Sequence, residues 1–467
     1  MISPDRPVRV AISGKHHAAL KQHLFPGDGK EAVAFALCGR ARHENLELLT
    51  VREIVPIPYD ACRVRTPHRV TWQGEALEPT LTRAAAERWA LIKVHSHPTG
   101  YPWFSDTDDI AEAELFPSLF GWLDLEAPLA SMIMLPDGTL VGRAVQPHGG
   151  GDRLNCIRVV GEDFLFWHDT PETEDVPEHG IRIAQAFGGK TYALFRKLRI
   201  GIVGCSGTGS IVIEQLARNC VGELVLVDPE HVEHKNLNRI LNSTRKDADR
   251  RKTKTLVLKR AIKLMGLGTK VTTFDGELMN LETLKTLSTC DILFGCMDSI
   301  DGRHVLNKLA TAYLIPLIDV GVLLEADGKG GIDSIWAAVH TVLPGGSSLL
   351  SRRVYNQDDL DAAFLKRSNP NAYEEQRKAG YIKGIREDQP AVISVNMTAS
   401  AVAVNELLAR LHPYRFKPNG AFAIRRLSLS DAEASSDEPD GEACPVMRRW
   451  VGVGDQEPFL GIMNLAV

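Results

Sequence analysis

The stretch LRIGIVGCSGTGSIVIEQLARNC, residues 198–220, constrains this chain more than any other part of it. A short apolar run passes into Gly204, Gly207 and Gly209, an amphipathic run follows, and a second apolar run, ELVLVD, comes next. Strands covered on both faces read as continuous apolar runs, and two of them joined by a helix lie parallel. From Lys197 onward the pattern therefore predicts a mainly parallel, Rossmann-like α/β sheet. DILFGCMD and LIPLIDVGVL are further buried strands, and AVISVNMTASAVAVNELLARL is a long, mostly buried helix.

The first 150 residues read differently. AALKQHLF is helical, whereas EAVAFALCG, LELLTVREIVPI, ALIKVHSH and ASMIMLPDGTLVGRAV are strand-like, the last carrying a hairpin signal at Pro136-Asp137-Gly138. An α+β domain on a mostly antiparallel sheet is expected there. Gly, Asp, Glu, Pro and Thr dominate parts of 147–177, though LNCIRVVGEDFLFW between them is too apolar for a free linker; the division is 1–150, a connecting segment 151–180, and 181–467. At roughly 150 residues per domain, a chain of 467 residues has room for two large domains. Residues 428–443, SLSDAEASSDEPDGEA, form an acidic polar loop.

Composition excludes several classes. Hydrophobic residues are 44% and charged residues 24%, the usage of a packed globular chain. A net charge of −5, from 54 Lys+Arg against 59 Asp+Glu, offers no basic field for nucleic acid. The start MISPDRPVRV is not built like a signal peptide, and polar residues break every long apolar run, so the expectation is a cytoplasmic protein with no membrane span. The cysteines at 38, 62, 156, 205, 220, 290, 296 and 444 contain no C-x-x-C pair, which argues against a disulfide framework.

Two constellations carry chemistry. In ALIKVHSHPTGYPWFSDTD, His95 and His97 stand two apart at a strand end, where alternate side chains point the same way. Asp108 opens the next helical run, and a turn through Pro98, Gly100 and Pro102 can bring it back. Two histidines and a carboxylate with a fourth position open are a catalytic zinc set. Glu31, at a strand start, is the candidate base for a water, with Glu44 and Glu47 as rivals, and Ser105 is a candidate hydrogen-bond donor to an oxyanion. The pattern Glu, then His-Ser-His-Pro, then Ser and Asp at fixed spacing resembles the JAMM motif of the JAB/MPN metallopeptidases over about residues 5–150. The resemblance implies a zinc isopeptidase cutting after the terminal glycine of ubiquitin-like proteins, with His95, His97 and Asp108 as ligands and Glu31 as general base.

In the second constellation, Gly204, Gly207 and Gly209 let a backbone approach phosphate at a helix N-terminus. By itself this fits any nucleotide fold, a nicotinamide dehydrogenase included. Asp228 ends the next strand, and Glu230, Asn236 and Arg239 follow it; Lys254 lies in an amphipathic helix and Asp298 ends another strand. Cationic groups past the second strand suit a triphosphate, and an Asp at a strand end suits its magnesium. The series resembles the ThiF/MoeB/ubiquitin-activating-enzyme superfamily over about residues 178–467, with Ser206 and Glu230 as departures. That resemblance implies Asp228 on ribose, Asn236, Arg239 and Lys254 on phosphates, Asp298 on magnesium, and Arg182 reaching into a partner subunit's site in a homodimer.

Many members of that superfamily hold a structural zinc with two C-x-x-C pairs. Here the corresponding places read Ser348 and Ser351, then Cys444 and Met447, so no zinc is expected in this half. Thioester-forming members use a cysteine beyond the last strands, yet none lies between Cys296 and Cys444. Either the chemistry stops at the acyl-adenylate, or Cys444, Ser348, Ser351 or Ser368 accepts the acyl group. Cys205 and Cys296 read as packing residues.

Jointly, the two resemblances imply a bifunctional enzyme like the fused JAB–ThiF proteins of bacterial ubiquitin-like operons, some of which act in antiviral defence. One half adenylates the terminal glycine of a ubiquitin-like protein with ATP and Mg2+, and the other cleaves after that glycine, with a conjugating enzyme as a further partner. The alternatives are activation of a sulfur carrier for cysteine, thiamin or molybdopterin synthesis, a catalytically dead binding module, and an oxidoreductase.

Overall fold

The computed structural model describes residues 6–170, 175–326, 331–379, 392–431, 436–462 and 465. They fall into two units: Met1–Pro171 with Ala312–Leu314 and Trp450–Val467, and Glu172–Thr311 with Ile315–Arg449.

In the first unit the strands are β1 (Val8–Ser13), β2 (Val33–His43), β3 (Leu46–Pro56), β4 (Cys62–Thr66), β5 (Arg69–Trp72), β6 (Ala90–Ser96), β7 (Leu129–Met134), β8 (Leu140–Val145), β9 (Cys156–Val160) and β10 (Phe164–His168). The helices are α1 (Gly14–Leu24), α2 (Glu78–Glu87) and α3 (Asp106–Leu123). The main sheet has the order β10-β9-β1-β3-β2-β6-β7-β8, and β4 and β5 form a separate ribbon. The sheet is antiparallel at most of its pairings, as expected, but it is mixed: β10–β9, β3–β2, β2–β6 and β7–β8 are antiparallel, whereas β1 runs parallel to β3 and β9, and β6 parallel to β7. The β6–β7 pair is parallel because α3 carries the chain back across the sheet, as a parallel connection requires. The β7–β8 hairpin forms where Pro136-Asp137-Gly138 placed it, with Gly138 at φ +97°.

Two boundaries move. The expected connector 151–180 instead contributes β9 and β10, whose Cys156, Ile157, Val159, Val160 and Phe164 are buried, so apolar content outweighed the flanking loop residues. The chain's end, assigned from sequence to the second domain, belongs to the first. Gly452 O accepts from Gly39 N (3.1 Å) and Thr50 Oγ1 (2.9 Å), and Asp455 N donates to Arg40 O (2.9 Å). Phe459 and Leu460 are buried. A Cβ on Gly39 would stand 2.3 Å from Gly452 O, so only glycine allows this approach.

The second unit contains α4 (Ile181–Phe187), α5 (Gly189–Lys197), β11 (Arg199–Val203), α6 (Gly207–Arg218), β12 (Glu223–Val227), α7 (Arg245–Asp249), α8 (Lys254–Met265), β13 (Lys270–Phe274), α9 (Leu281–Ser288), β14 (Ile292–Gly295), α10 (Ile300–Ala312) and β15 (Leu317–Ala326). Then come β16 (Ile332–Val342), α11 (Gln357–Ser368), α12 (Pro370–Lys378), α13 (Ile393–Leu411), β17 (Ile424–Ser428), β18 (Ser436–Glu438) and α14 (Pro445–Arg448). The sheet order is β13-β12-β11-β14-β15-β16-β17-β18. Strands β13 through β15 run parallel, and β16 to β18 extend the edge antiparallel. The parallel strands are covered on both faces, so Ile200, Ile202, Leu224, Leu226 and Phe294 are each 0% exposed. Within the expected acidic loop, Ser436–Glu438 pairs with β17; residues 432–435 lie outside the described residues. No helix among the described residues is long and apolar enough to cross a membrane.

Candidate functional site

At the end of β6, His95 and His97 share a face, and α3 returns Asp108 to them. His95 Nε2 lies 3.0 Å from Asp108 Oδ1, and His97 Nε2 lies 3.4 Å from Asp108 Oδ2. The two Nε2 atoms are 3.1 Å apart, and all three potential ligand atoms lie within 4.8 Å of one another. His97 Nδ1 donates to the Tyr101 carbonyl (2.8 Å), because a carbonyl only accepts, and this leaves Nε2 of the neutral ring with its lone pair. So many lone pairs at this spacing repel unless a proton or a metal ion sits among them. The donor set fits zinc.

Charge in the cluster is unevenly tuned. Burial lowers the His95 imidazole to about 4, with Lys93 adding to the drop. Burial also works against a charged His97, but hydrogen bonds to Asp108 and Tyr101 outweigh it and raise that ring. Asp108 is held far below the usual carboxylate range, since bonds to His95, His97 and Ser105 overcome its burial.

Glu31 reaches the cluster by register. Val33 pairs with His95 across the antiparallel β2–β6 ladder. Ser96 N donates to Ala32 O (3.0 Å) and Ala32 N to Ser96 Oγ (2.9 Å), so the pairing runs on past the strand end. Opposed residues share a face, and two steps further Glu31 stands against His97. It is 5% exposed. Burial pushes its carboxyl up to about 7; Asp108 adds to the rise, while His97 and Lys93 oppose it. A carboxyl that changes charge near neutral pH can both take and return a proton.

Ser105 does something other than expected. It caps α3, its hydroxyl donates to Asp108 Oδ2 (2.7 Å), and it accepts from Asp108 N (3.2 Å). A hydroxyl has one proton, and this one already orients Asp108 instead of facing an oxyanion.

In the second unit the glycine loop joins β11 to α6. Gly204 sits at φ +93°, and a Cβ there would lie 2.5 Å from Cys296 O. A Cβ on Gly209 would lie 1.8 Å from Gly204 O, so backbone packing already demands glycine at 204 and 209, whereas one on Gly207 would meet a side chain, the Asn396 amide, at 2.4 Å. No side chain caps α6 at Ser206, which leaves its first amides available to an anion. Asp228, buried at the end of β12, accepts from Cys205 N (2.7 Å) and Glu230 N (2.8 Å). Burial raises its pKa, against the pull of Lys254 and those amides. Lys254 opens α8 at 2% exposure, its ammonium paired with Glu230. Arg239 donates to Lys235 O (2.8 Å), and its Cδ lies 3.5 Å from where a Cβ on Gly207 would stand. Asn236 is buried and accepts from Glu233 N (3.0 Å). Asp298 is exposed just past β14. Arg182 is exposed on α4 and donates to Gln185 Oε1 (3.4 Å).

The acyl-acceptor candidates divide. Cys444 is 2% exposed. Ser348 and Ser351 hold one turn together, through Ser348 N to Ser351 Oγ (2.9 Å) and Ser351 N to Ser348 Oγ (3.2 Å). Ser348, Cys444 and Met447, three of the four places where relatives carry zinc-binding cysteines, line one small cavity. Ser368 is exposed at the end of α11. Burial raises the thiols of Cys205 and Cys296.

Sequence reasoning missed three kinds of residue. The Tyr101 carbonyl is backbone and leaves no sequence signal. On α13, Asn396 packs on Gly207 and Ser400 donates to Thr208 O (3.0 Å), a contact across 192 positions. Asp319, 1% exposed on β15, faces Arg303 at 3.4 Å, and its signal was a lone acid inside LIPLIDVGVL.

A family model described as the ThiF family matches residues 180–439. The chain belongs to the ThiF family. A Saccharomyces cerevisiae protein named ubiquitin-activating enzyme E1-like is 29% identical over 136 residues, 29% of this chain and 21% of the relative. A sulfur carrier protein adenylyltransferase of Thermus thermophilus is 24% identical over 151 residues, 32% of this chain and 55% of the relative. The ThiF-family chain thus spans between about a fifth and about half of these relatives. The crystal structure of E. coli MccB with AMPCPP and selenomethionyl MccA superposes with a TM-score of 0.44 at 18% identity, over 58% of this chain and 73% of that one. The family match begins at residue 180, so the reading of the first unit rests on the geometry of His95, His97, Asp108 and Glu31.

Proposed function

We propose that the second unit adenylates the C-terminal carboxylate of a ubiquitin-like or sulfur-carrier protein. A carboxylate oxygen attacks the α-phosphorus of ATP, the bond to the bridging oxygen breaks, and acyl-AMP and pyrophosphate result. The ThiF-family match over the glycine loop, Asp228, Arg239, Lys254 and Asp298 carries this reading. The amides of α6 and the cations Arg239 and Lys254 take up phosphate charge, Asp228 accepts from ribose, and Asn236 orients the loop that bears Arg239. Asp298 is the residue that would hold magnesium, which screens the phosphates when bound. In a homodimer Arg182 adds charge to the partner's site. The named relatives act on both kinds of carrier, so a sulfur carrier stands equal to a ubiquitin-like protein as substrate. Buried Cys444 favours chemistry that ends at the adenylate, with exposed Ser368 as the acceptor otherwise.

A second activity is favoured by the His95–His97–Asp108 cluster and Glu31 across the ladder: hydrolysis of an amide bond after the same terminal glycine. Zinc bound by these three residues supplies Lewis acidity. Glu31 takes the proton of the attacking water and returns it to the departing amine, and Ser105 keeps Asp108 in place.

The test is ATP–pyrophosphate exchange with a panel of carrier proteins ending in Gly-Gly, alongside cleavage of their C-terminal fusions. Exchange that appears only with one carrier supports adenylation and names the substrate class. Absence of exchange and of cleavage across the panel, with ATP and zinc both unbound, returns the chain to a binding module.

A further inference from the structure

A buried polar network ties α3, which carries Asp108, to the strands that carry the histidines. Glu112 lies one helical turn beyond Asp108 on the same helix face and is 5% exposed. Its Oε1 accepts from Lys93 Nζ (2.9 Å) and from the Ser131 hydroxyl of β7. Its Oε2 accepts from Arg143 Nε (3.1 Å) and Nη2 (2.7 Å), from β8. Lys93 is 4% exposed and precedes His95 by two residues on β6, so it projects from the same face as both histidines.

Arg143 reaches further. Its Nη1 donates to Asp109 Oδ1 (2.7 Å), next in sequence to Asp108. Its guanidinium carbon lies 4.0 Å from the centre of the Phe104 ring, which itself stands 6.2 Å from the His95 ring. One arginine therefore touches the helix just after Asp108 and the loop residue just before Ser105, the cap that orients Asp108. A fold that needed only to close its core would do so with apolar groups at less desolvation cost, since buried ion networks seldom add net stability.

We propose that Glu112 and Arg143 are positioning residues of the metal site, fixing Asp108 against His95 and His97 by clamping α3 and its cap to β6, β7 and β8. This rests on the metal reading of the cluster. Groups that orient ligands are commonly worth a large share of the affinity, because a ligand displaced by a fraction of an ångström no longer converges with the others.

The full chain, stripped of metal and titrated with Co2+ under absorption spectroscopy before displacement by Zn2+, tests it. The wild type binds one Co2+ per chain, and His95→Ala does not. Glu112→Gln and Arg143→Lys each lower the affinity by about tenfold or more and shift the d–d bands, while circular dichroism stays unchanged. Glu112→Gln leaves Lys93 buried without its partner and can fail to fold. Arg143→Lys keeps the charge on a side chain 24% exposed and then decides the matter. Wild-type affinity and bands in Arg143→Lys overturn the proposal and leave the metal site standing. A wild type that binds no Co2+, or His95→Ala binding as well as wild type, overturns the metal reading itself.

Discussion

The two sites are built on opposite plans. Around His95, His97 and Asp108, ligand atoms converge within 4.8 Å and buried polar groups close in behind them. Around the glycine loop the functional side chains point at one another's backbones or at near neighbours: Asp228 at two amides, Lys254 at Glu230, Arg239 at Lys235 O. A small ion must be surrounded, so the side chains proposed to hold it already converge. A nucleoside triphosphate needs a shaped opening and loosely held cations, so its site looks dispersed until it is filled. Convergence therefore speaks to the small ligand and not to the large one.

The sharpest way to break this contrast is to show that the sites are one. Glu31→Ala should lower cleavage by roughly 10²- to 10⁴-fold, the usual contribution of a general base, and leave pyrophosphate exchange unchanged. Asp298→Ala should abolish exchange and spare cleavage. One variant that removes both activities from a folded protein would sink the two-site scheme.

Next in size is the C-terminal segment. Deleting Trp450–Val467 removes buried Phe459 and Leu460 and the acceptor for the Gly39 amide. The expected loss is roughly 3–5 kcal/mol or more, located in the first unit. Hydrogen exchange should show Gly39 and its neighbours on β2 losing protection while β11 and β12 keep theirs; uniform protection would mean the segment is dispensable.

Acid should weaken both units, since burial also holds His95 of the first at about 4. Burial holds His304 at about 4 and His340 at about 3 in the second unit. Both lie below the unfolded value of 6.5, so the stability they confer is complete above that pH and drains as pH falls toward the folded values. At pH 5 the loss is about 2 kcal/mol for each. Urea midpoints at pH 7 and 5 measure it, and His340→Gln should flatten the difference; an unchanged slope would show that the ring is solvated.

The smallest effect belongs to Ser105→Ala. It removes a helix cap and one hold on Asp108, which costs about 1 kcal/mol by thermal unfolding, with cleavage reduced but not abolished. A variant with full stability and no cleavage would restore Ser105 to the oxyanion role that its hydrogen bond to Asp108 argues against.

Local pattern was enough for much of this. The strand, glycine loop and helix at 198–220, the hairpin at Pro136-Asp137-Gly138 and the long helix α13 all follow from periodicity and turn chemistry, which act over a few residues. So does the His-x-His pair, because a strand alternates its faces. The expectation for Glu31 rests on a resemblance, and only the β2–β6 register explains why residue 31 faces residue 97. What local pattern missed depends on long-range pairing. The stretch around Cys156–His168 is too apolar for a free linker and still falls within the expected connector because its flanks are polar; what local pattern could not supply is its partner, since β9 pairs in parallel with β1, some 150 positions earlier.

The sequence by itself determined which residue types bear chemistry and on which local elements they sit, since backbone preference and side-chain alternation are properties of short segments. Tertiary structure alone decided that the last residues of the chain complete the first unit. It also decided that the Ser105 hydroxyl turns to Asp108, that the Tyr101 carbonyl sets a tautomer, and that Lys93, Glu112 and Arg143 meet behind the His95–His97–Asp108 cluster. Each of these depends on a contact between segments distant in sequence, or on where a single proton goes once the neighbours are in place, and neither is written in any stretch of the chain.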